Sequence, residues 1–270
     1  MRAFRSFRLL TVSLLTLLLA SCGSFEKVKK STDVNLKLTK ANEYYDKKQF
    51  TKANELYQSL MPILRGTKNY EGLFLRYSYT FYNMKDYPNA SLWFKNFTEI
   101  FPNSRDAEEC EFMHALCLVK MAPKSNLDQT NTLKAMEAMQ SFINMHPSSK
   151  HLVEANQHIF ESRGKLEEKS KDAARLYFNI GQYKAAAIAY QDVINQFPES
   201  PGGDFYQYMV VRSYYEYARI SITEKQAERY VNAIEAYNQL KDLYPQSKFV
   251  KDGLRYQEMA DNNLKRINKS

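Results

Sequence analysis

The sequence predicts an all-α protein, an α-solenoid of about five helical hairpins followed by a C-terminal helix. Three observations lead there. Apolar residues recur at three- and four-residue spacing along most of the chain, β-branched alternation is rare, and only eight glycines and eight prolines interrupt the pattern, so helices are the local solution. The tetrapeptides Phe101-Pro-Asn-Ser104, His146-Pro-Ser-Ser149, Phe197-Pro-Glu-Ser200 and Tyr244-Pro-Gln-Ser247 recur at intervals of 45, 51 and 47 residues. Twelve residues before each of those prolines stands an alanine, followed four later by a large side chain: Ala90/Phe94, Ala135/Met139, Ala186/Tyr190 and Ala233/Tyr237.

Each signal has a physical role. Proline stops the helix before it, and the following serine can cap the next. Alanine lets two backbones approach, and the large residue fills the space beside the contact. A first copy, without the tetrapeptide, has Ala53/Tyr57, and Phe50, Tyr87 and Tyr183 precede three of the alanines by three. This pattern resembles the tetratricopeptide repeat, two antiparallel helices per unit. The copies place hairpins near 36–62, 70–101, 108–146, 153–197 and 204–244, with a final helix near 247–267. Spacing above 34 residues calls for extra length, and Pro123–Asn131 and Ser221–Gln226 are the expected insertions. Units that bury their faces only on neighbours stack and leave a surface for partners.

The N-terminus reads differently. Met1–Arg8 holds three arginines and no acid, and Leu9–Ala20 is a short apolar run broken by Thr11, Ser13 and Thr16. That length is too short for a permanent span and suits a signal peptide over residues 1–21. Leu19-Ala20-Ser21-Cys22 resembles the lipobox of bacterial lipoproteins, which implies cleavage before Cys22 and acylation of that cysteine. The basic stretch Gly23–Thr32 is expected as a flexible tether within residues 22–35.

Cleavage leaves 249 residues and lowers the formal charge from +8 to +5. Both signs are interspersed, which gives no reason to expect nucleic acid in an exported protein. Cys110 and Cys117 sit about two turns apart on an expected helix, roughly 10 Å, too far for a disulfide. They are expected as small buried apolar groups, with 20 Tyr and 16 Phe supplying most of the aromatic burial. His151, Glu154 and His158 share a helical face, but no ligand set has a zinc-motif spacing, so packing or surface roles are expected and no metal or cofactor. No phosphate loop and no nucleophile elbow is present. The sequence therefore reads as a non-enzymatic binding protein.

The first helix of each tetratricopeptide pair lines the groove of such domains. Transferred to this sequence, that resemblance names Asn42, Tyr45 and Asp46, then Tyr79, Tyr82 and Asn83, then Arg175, Phe178 and Asn179 as protein-binding candidates. Tyrosine and asparagine suit extended peptides. The tyrosines equally suit packing between helices, because Tyr44 and Phe81 compete for the same space.

A lipobox followed by five long tetratricopeptide-like units resembles the BamD family, lipoproteins of the outer-membrane β-barrel assembly machinery. Asn42–Ala53, Tyr79–Pro102 and Tyr177–Pro198 carry the likeness. It implies anchorage at the periplasmic face of the outer membrane and two kinds of partner. Residues 151–270, repeats four and five with the final helix, would dock a BamA-like barrel-forming subunit. Residues 36–150, repeats one to three, would meet unfolded outer-membrane proteins. Two departures are visible: the first repeat closes in Met61-Pro62 rather than Tyr-Pro, and Ala189 stands where many relatives use an arginine in the partner contact. Other readings compatible with the residues are a different periplasmic tetratricopeptide scaffold for division or motility, and a surface glycan-binding lipoprotein.

Overall fold

The computed structural model describes residues 24–268. The expected signal peptide and Cys22 lie outside the described residues. All regular structure among the described residues is helical. Ten helices follow as five hairpins: α1 (Val34–Asp46) with α2 (Phe50–Leu64), α3 (Tyr70–Asn83) with α4 (Tyr87–Ile100), α5 (Ala107–Met121) with α6 (Thr130–Met145), α7 (Leu152–Asn179) with α8 (Tyr183–Gln196), and α9 (Gly203–Arg219) with α10 (Thr223–Leu243). The last helix is α11 (Phe249–Ile267). No described helix is long and apolar enough to cross a membrane.

The chain forms two compact units. One runs to Pro123 and resumes over Gln129–Ser162; the other comprises Lys124–Asp128 and Arg163 onward, so the division falls inside α7. The short segment of the second unit is tied to it by Lys169 Nζ, which donates to the Leu127 carbonyl at 2.5 Å.

The alanine and large-residue pairs are where the sequence places them. Ala53/Tyr57, Ala90/Phe94, Ala135/Met139, Ala186/Tyr190 and Ala233/Tyr237 are all buried. Cys110 and Cys117 are free and buried, and burial pushes the Cys117 thiol up to about 12. Three hairpin turns share one geometry. Lys48, Lys85 and Gly181 adopt φ of 58°, 62° and 78°, each one residue after the helix C-cap or its equivalent, and their N–H groups donate to the carbonyls of Tyr45, Tyr82 and Phe178. Only Gly181 reaches that left-handed conformation without a Cβ penalty.

The recurring serines do more than cap. Each closes its hairpin by donating to an acid near the start of that hairpin's first helix: Ser104 to Glu71 at 2.6 Å, Ser149 to Glu108 at 2.6 Å, Ser200 to Glu167 and Ser247 to Asp204 at 2.7 Å. Each hydroxyl also accepts the N–H two residues on, in Asp106, His151, Gly202 and Phe249. Glu71, Glu108 and Asp204 are the second residues of α3, α5 and α9, where a carboxylate also meets the positive helix end. Glu167 instead lies deep inside α7. The repeat proper therefore begins near Leu166, and the preceding turns of α7 are an extension.

Three expectations need correction. Residues 24–30 are helical rather than a loose tether. Phe25 is buried against Leu56, Leu60 and their neighbours in the core of the first hairpin, edge-on to Tyr44 at 5.5 Å, and Lys29 pairs with Glu55 at 2.6 Å. One well-placed aromatic outweighs the polar composition around it. Ser221–Gln226 is not an inserted loop, because α10 already begins at Thr223. Pro62, which does not end its hairpin as Pro102, Pro147, Pro198 and Pro245 do, lies inside the last turn of α2.

Candidate protein-binding site

In the first unit, the first helices of successive hairpins are joined by polar side chains. Between α1 and α3, Arg76 Nη1 meets Asp46 Oδ1 at 2.9 Å, and its guanidinium lies 5.0 Å from the centre of the Tyr45 ring. Between α3 and α5, the Tyr79 hydroxyl donates to Glu109 at 3.2 Å. The other Glu109 oxygen meets His151 Nε2 at 2.8 Å and Lys150 Nζ at 3.2 Å, at the entrance to α7. His151 stacks flat on Phe112, ring centres 4.1 Å apart. Asp46, Arg76, Tyr79, Glu109 and His151 thus form a polar row across three helices and the turn that leads into α7.

The environment tunes these groups. Burial drives the Tyr79 phenol well above its ordinary value, and the Glu109 carboxylate adds to the shift. Burial also lifts the Glu109 carboxyl, but hydrogen bonds from His151 and Lys150 outweigh it and hold the group below the usual range. Tyr57 is pushed up to about 12 by burial, against the pull of Arg76, and it donates to Asn42 Oδ1 at 2.8 Å.

The nine candidates therefore fall into distinct settings. Tyr45, Tyr82 and Phe178 occupy the same place in three hairpins, each edge-on to the first residue of its partner helix: Phe50 at 5.6 Å, Tyr87 at 5.8 Å and Tyr183 at 5.2 Å. All three are half-buried. Tyr79 packs edge-on against Phe94 at 4.9 Å. Asn42 is held by Tyr57. Asp46, Asn83, Arg175 and Asn179 are exposed. The Asn83 amide donates to the Tyr79 carbonyl of its own helix at 2.7 Å, and Arg175 pairs with Asp172 at 2.9 Å.

Sequence reasoning passed over Arg76 and Glu109. Arg76 was findable, since it stands one turn before Tyr79 and opposes Asp46 in charge. Glu109 had no such marker beside two other acids, Glu108 and Glu111. The histidine face resolves into contacts with acids: His151 meets Glu109 at 2.8 Å, and His158 lies between Glu154 and Glu161 at 3.7 and 3.6 Å without a hydrogen bond to either. Among the described residues no group of three or more His, Cys, Asp or Glu side chains is arranged to hold a metal ion.

Comparison with known proteins identifies the setting. The family described as outer membrane lipoprotein (YfiO) matches residues 32–216. The chain belongs to that family. A tetratricopeptide repeat family matches residues 211–247, which together with the hairpins makes the fold tetratricopeptide-like. A relative from Aquifex aeolicus (strain VF5), a putative outer membrane protein assembly factor BamD, is 28% identical over 241 residues, covering 86% of this chain and 75% of its own. The family is thus one of BamD-like outer-membrane assembly factors. Among solved structures, the chain is similar to the TPR2AB-domain:pHSP90-complex of yeast Sti1 (15% identity, TM-score 0.41, 87% of this chain and 98% of that one). It is also similar to the TPR domain of P58(IPK) (12% identity, TM-score 0.40, 94% and 69%).

Proposed function

We propose that this protein is a non-enzymatic subunit of the outer-membrane protein assembly machinery, anchored through acylated Cys22 at the periplasmic face. The observation that carries the reading is the family match over residues 32–216, behind a segment with the lipobox pattern. The second unit docks a BamA-like barrel-forming subunit, and the first unit receives the C-terminal segment of unfolded barrel proteins. The polar row supports the client half of this reading. It offers an acid, a guanidinium, a phenol and an imidazole in series, flanked by half-buried rings that supply contact area at low entropic cost.

Depletion in the native organism tests the whole. Barrel proteins are expected to fall in the outer membrane while other envelope proteins hold; unchanged barrel levels refute it. The client half is tested by titrating a barrel-protein C-terminal peptide onto the mature chain and its Tyr79→Ala/Tyr82→Ala variant. An affinity that survives in a variant with unaltered helicity refutes that half. For the docking half, co-purification of the barrel-forming subunit with a chain ending at Ser200 is the contrary result.

A further inference from the structure

Eight residues after the acid gripped by each closing serine, the first helices carry Tyr79, Leu116, Arg175 and Arg212. The second unit thus presents two arginines at one repeat position, on α7 and α9. Their surroundings differ. Arg175 is 61% exposed and is paired with Asp172 on its own helix. Arg212 is half-buried and has no acid. Its guanidinium carbon lies 4.7 Å from the centre of the Phe178 ring, and its Nε is buried and donates to nothing. Among the described residues it makes no hydrogen bond or ion pair. The charges around it converge on two phenols. Arg175, Arg212 and Asp172 all act on Tyr190, and Arg212 and Asp252 both act on Tyr208. Asp172 lies 2.9 Å from Arg175, although its Oδ1 makes no hydrogen bond, and Asp252 forms no ion pair with Arg212.

A guanidinium taken partly out of water without a counter-ion is unfavourable, and a ring face offsets only part of that. Its planar fork matches a carboxylate or a phosphate held by two parallel hydrogen bonds, and a polypeptide partner supplies the carboxylate. We propose that Arg212, with Arg175 as the second cation, is a recognition site for a glutamate or aspartate side chain of a bound polypeptide. Phe178 is its floor, and Tyr183, edge-on to Phe178 at 5.2 Å, is a surface for a residue beside that acid. A polypeptide carries many acidic side chains and a single terminal carboxylate, which makes the side chain the occupant. The proposal rests on the polypeptide-binding reading above and adds the chemistry that the second unit selects.

The test uses the mature chain, ¹⁵N-labelled, and follows the arginine Nε–Hε signals. The Arg212 signal is identified by its loss in Arg212→Gln. Three probes are titrated: acetyl-Tyr-Glu-Tyr-amide, acetyl-Tyr-Gln-Tyr-amide, and acetyl-Tyr-Gln-Tyr with a free carboxyl end. The glutamate peptide is expected to move the Arg212 signal saturably, at least ten-fold more tightly than the glutamine amide. Arg212→Lys should bind it several-fold more weakly, since an ammonium lacks the fork. A still Arg212 signal, equal shifts with the glutamine amide, or full affinity in Arg212→Gln overturns the proposal. A response to the free carboxyl end alone overturns the choice of a side chain. Co-purification with the barrel-forming subunit separates the two levels: if it persists while Arg212 ignores the glutamate peptide, only this inference fails.

Discussion

Replacing Ser149 by alanine removes two bonds that close the third hairpin. The hydroxyl donates to the Glu108 carboxylate at 2.6 Å and accepts the His151 N–H at 3.1 Å. A hydrogen bond to a charged group contributes about 1.5–3 kcal/mol net. Ser149 and Glu108 are both half-buried, so water replaces part of the loss and the lower end, about 1.5 kcal/mol, applies. The freed N–H at the entrance to α7 adds roughly 0.5 kcal/mol, the low end for a lost cap. The expected loss is therefore about 2 kcal/mol. At roughly 3–4 °C per kcal/mol for a unit of this size, Tm should fall by about 6–8 °C. Urea unfolding followed by circular dichroism measures it, with Ser141→Ala on the exposed face of α6 as the control, expected within about 0.5 kcal/mol. Adding Glu108→Gln completes a double-mutant cycle, with a coupling above about 1 kcal/mol expected. A Ser149→Ala loss no larger than the control's, or a coupling near zero, would falsify the closing role of all four serine–acid ties.

Three further outcomes follow from other contacts. Glu109 has a folded-state pKa below its unfolded value, so its contribution is complete above the unfolded pKa, about 4.3, and is lost as pH falls through the lowered value. The stability gap between wild type and Glu109→Gln should therefore shrink as pH drops from about 5 toward 3; a gap that does not change over that range contradicts the assignment. A Cβ on Gly253 would lie 2.9 Å from Leu240 Cδ2 and 3.0 Å from Tyr237 Cδ2, both buried on α10. Overpacking of about 1–3 kcal/mol set against about 1 kcal/mol of helix propensity predicts that Gly253→Ala loses about 1 kcal/mol in denaturant unfolding; a stabilised variant would show that α11 shifts freely. Lys85→Gly should gain about 0.5–1 kcal/mol, because the side chain is held at φ 62° in a region that glycine enters without strain, and a loss on urea titration would count against that strain.

Much of the fold was legible because its causes are local. Ala90 and Phe94 are four residues apart, Pro102 ends the helix that carries them, and each copy repeats the arrangement. What escaped was set by partners far apart in sequence. Ser149 and Glu108 are 41 residues apart, and nothing in the sequence distinguishes Glu108 from the solvated acid it resembles. Phe25 sits in a run of lysines and polar residues, and only the cleft beside Tyr44 shows that it is core. The candidate site divides in the same way. The repeat register picked out Tyr45, Tyr82 and Phe178 correctly as equivalent positions, but not that each spends an edge on Phe50, Tyr87 or Tyr183. Arg212 was overlooked because an unpaired arginine and a paired one look alike in a sequence.

By itself, then, the sequence determined the helices, their pairing into hairpins and the contact points within each pair, since periodicity, chain stops and small-residue gaps act within a dozen or so residues. The tertiary structure decided which charges are satisfied, which rings are covered and which cation is left without an acid. Those depend on distances between helices that are neighbours in space, and the energy of a hydrogen bond or ion pair is fixed by its separation and its exposure to water rather than by place in the chain.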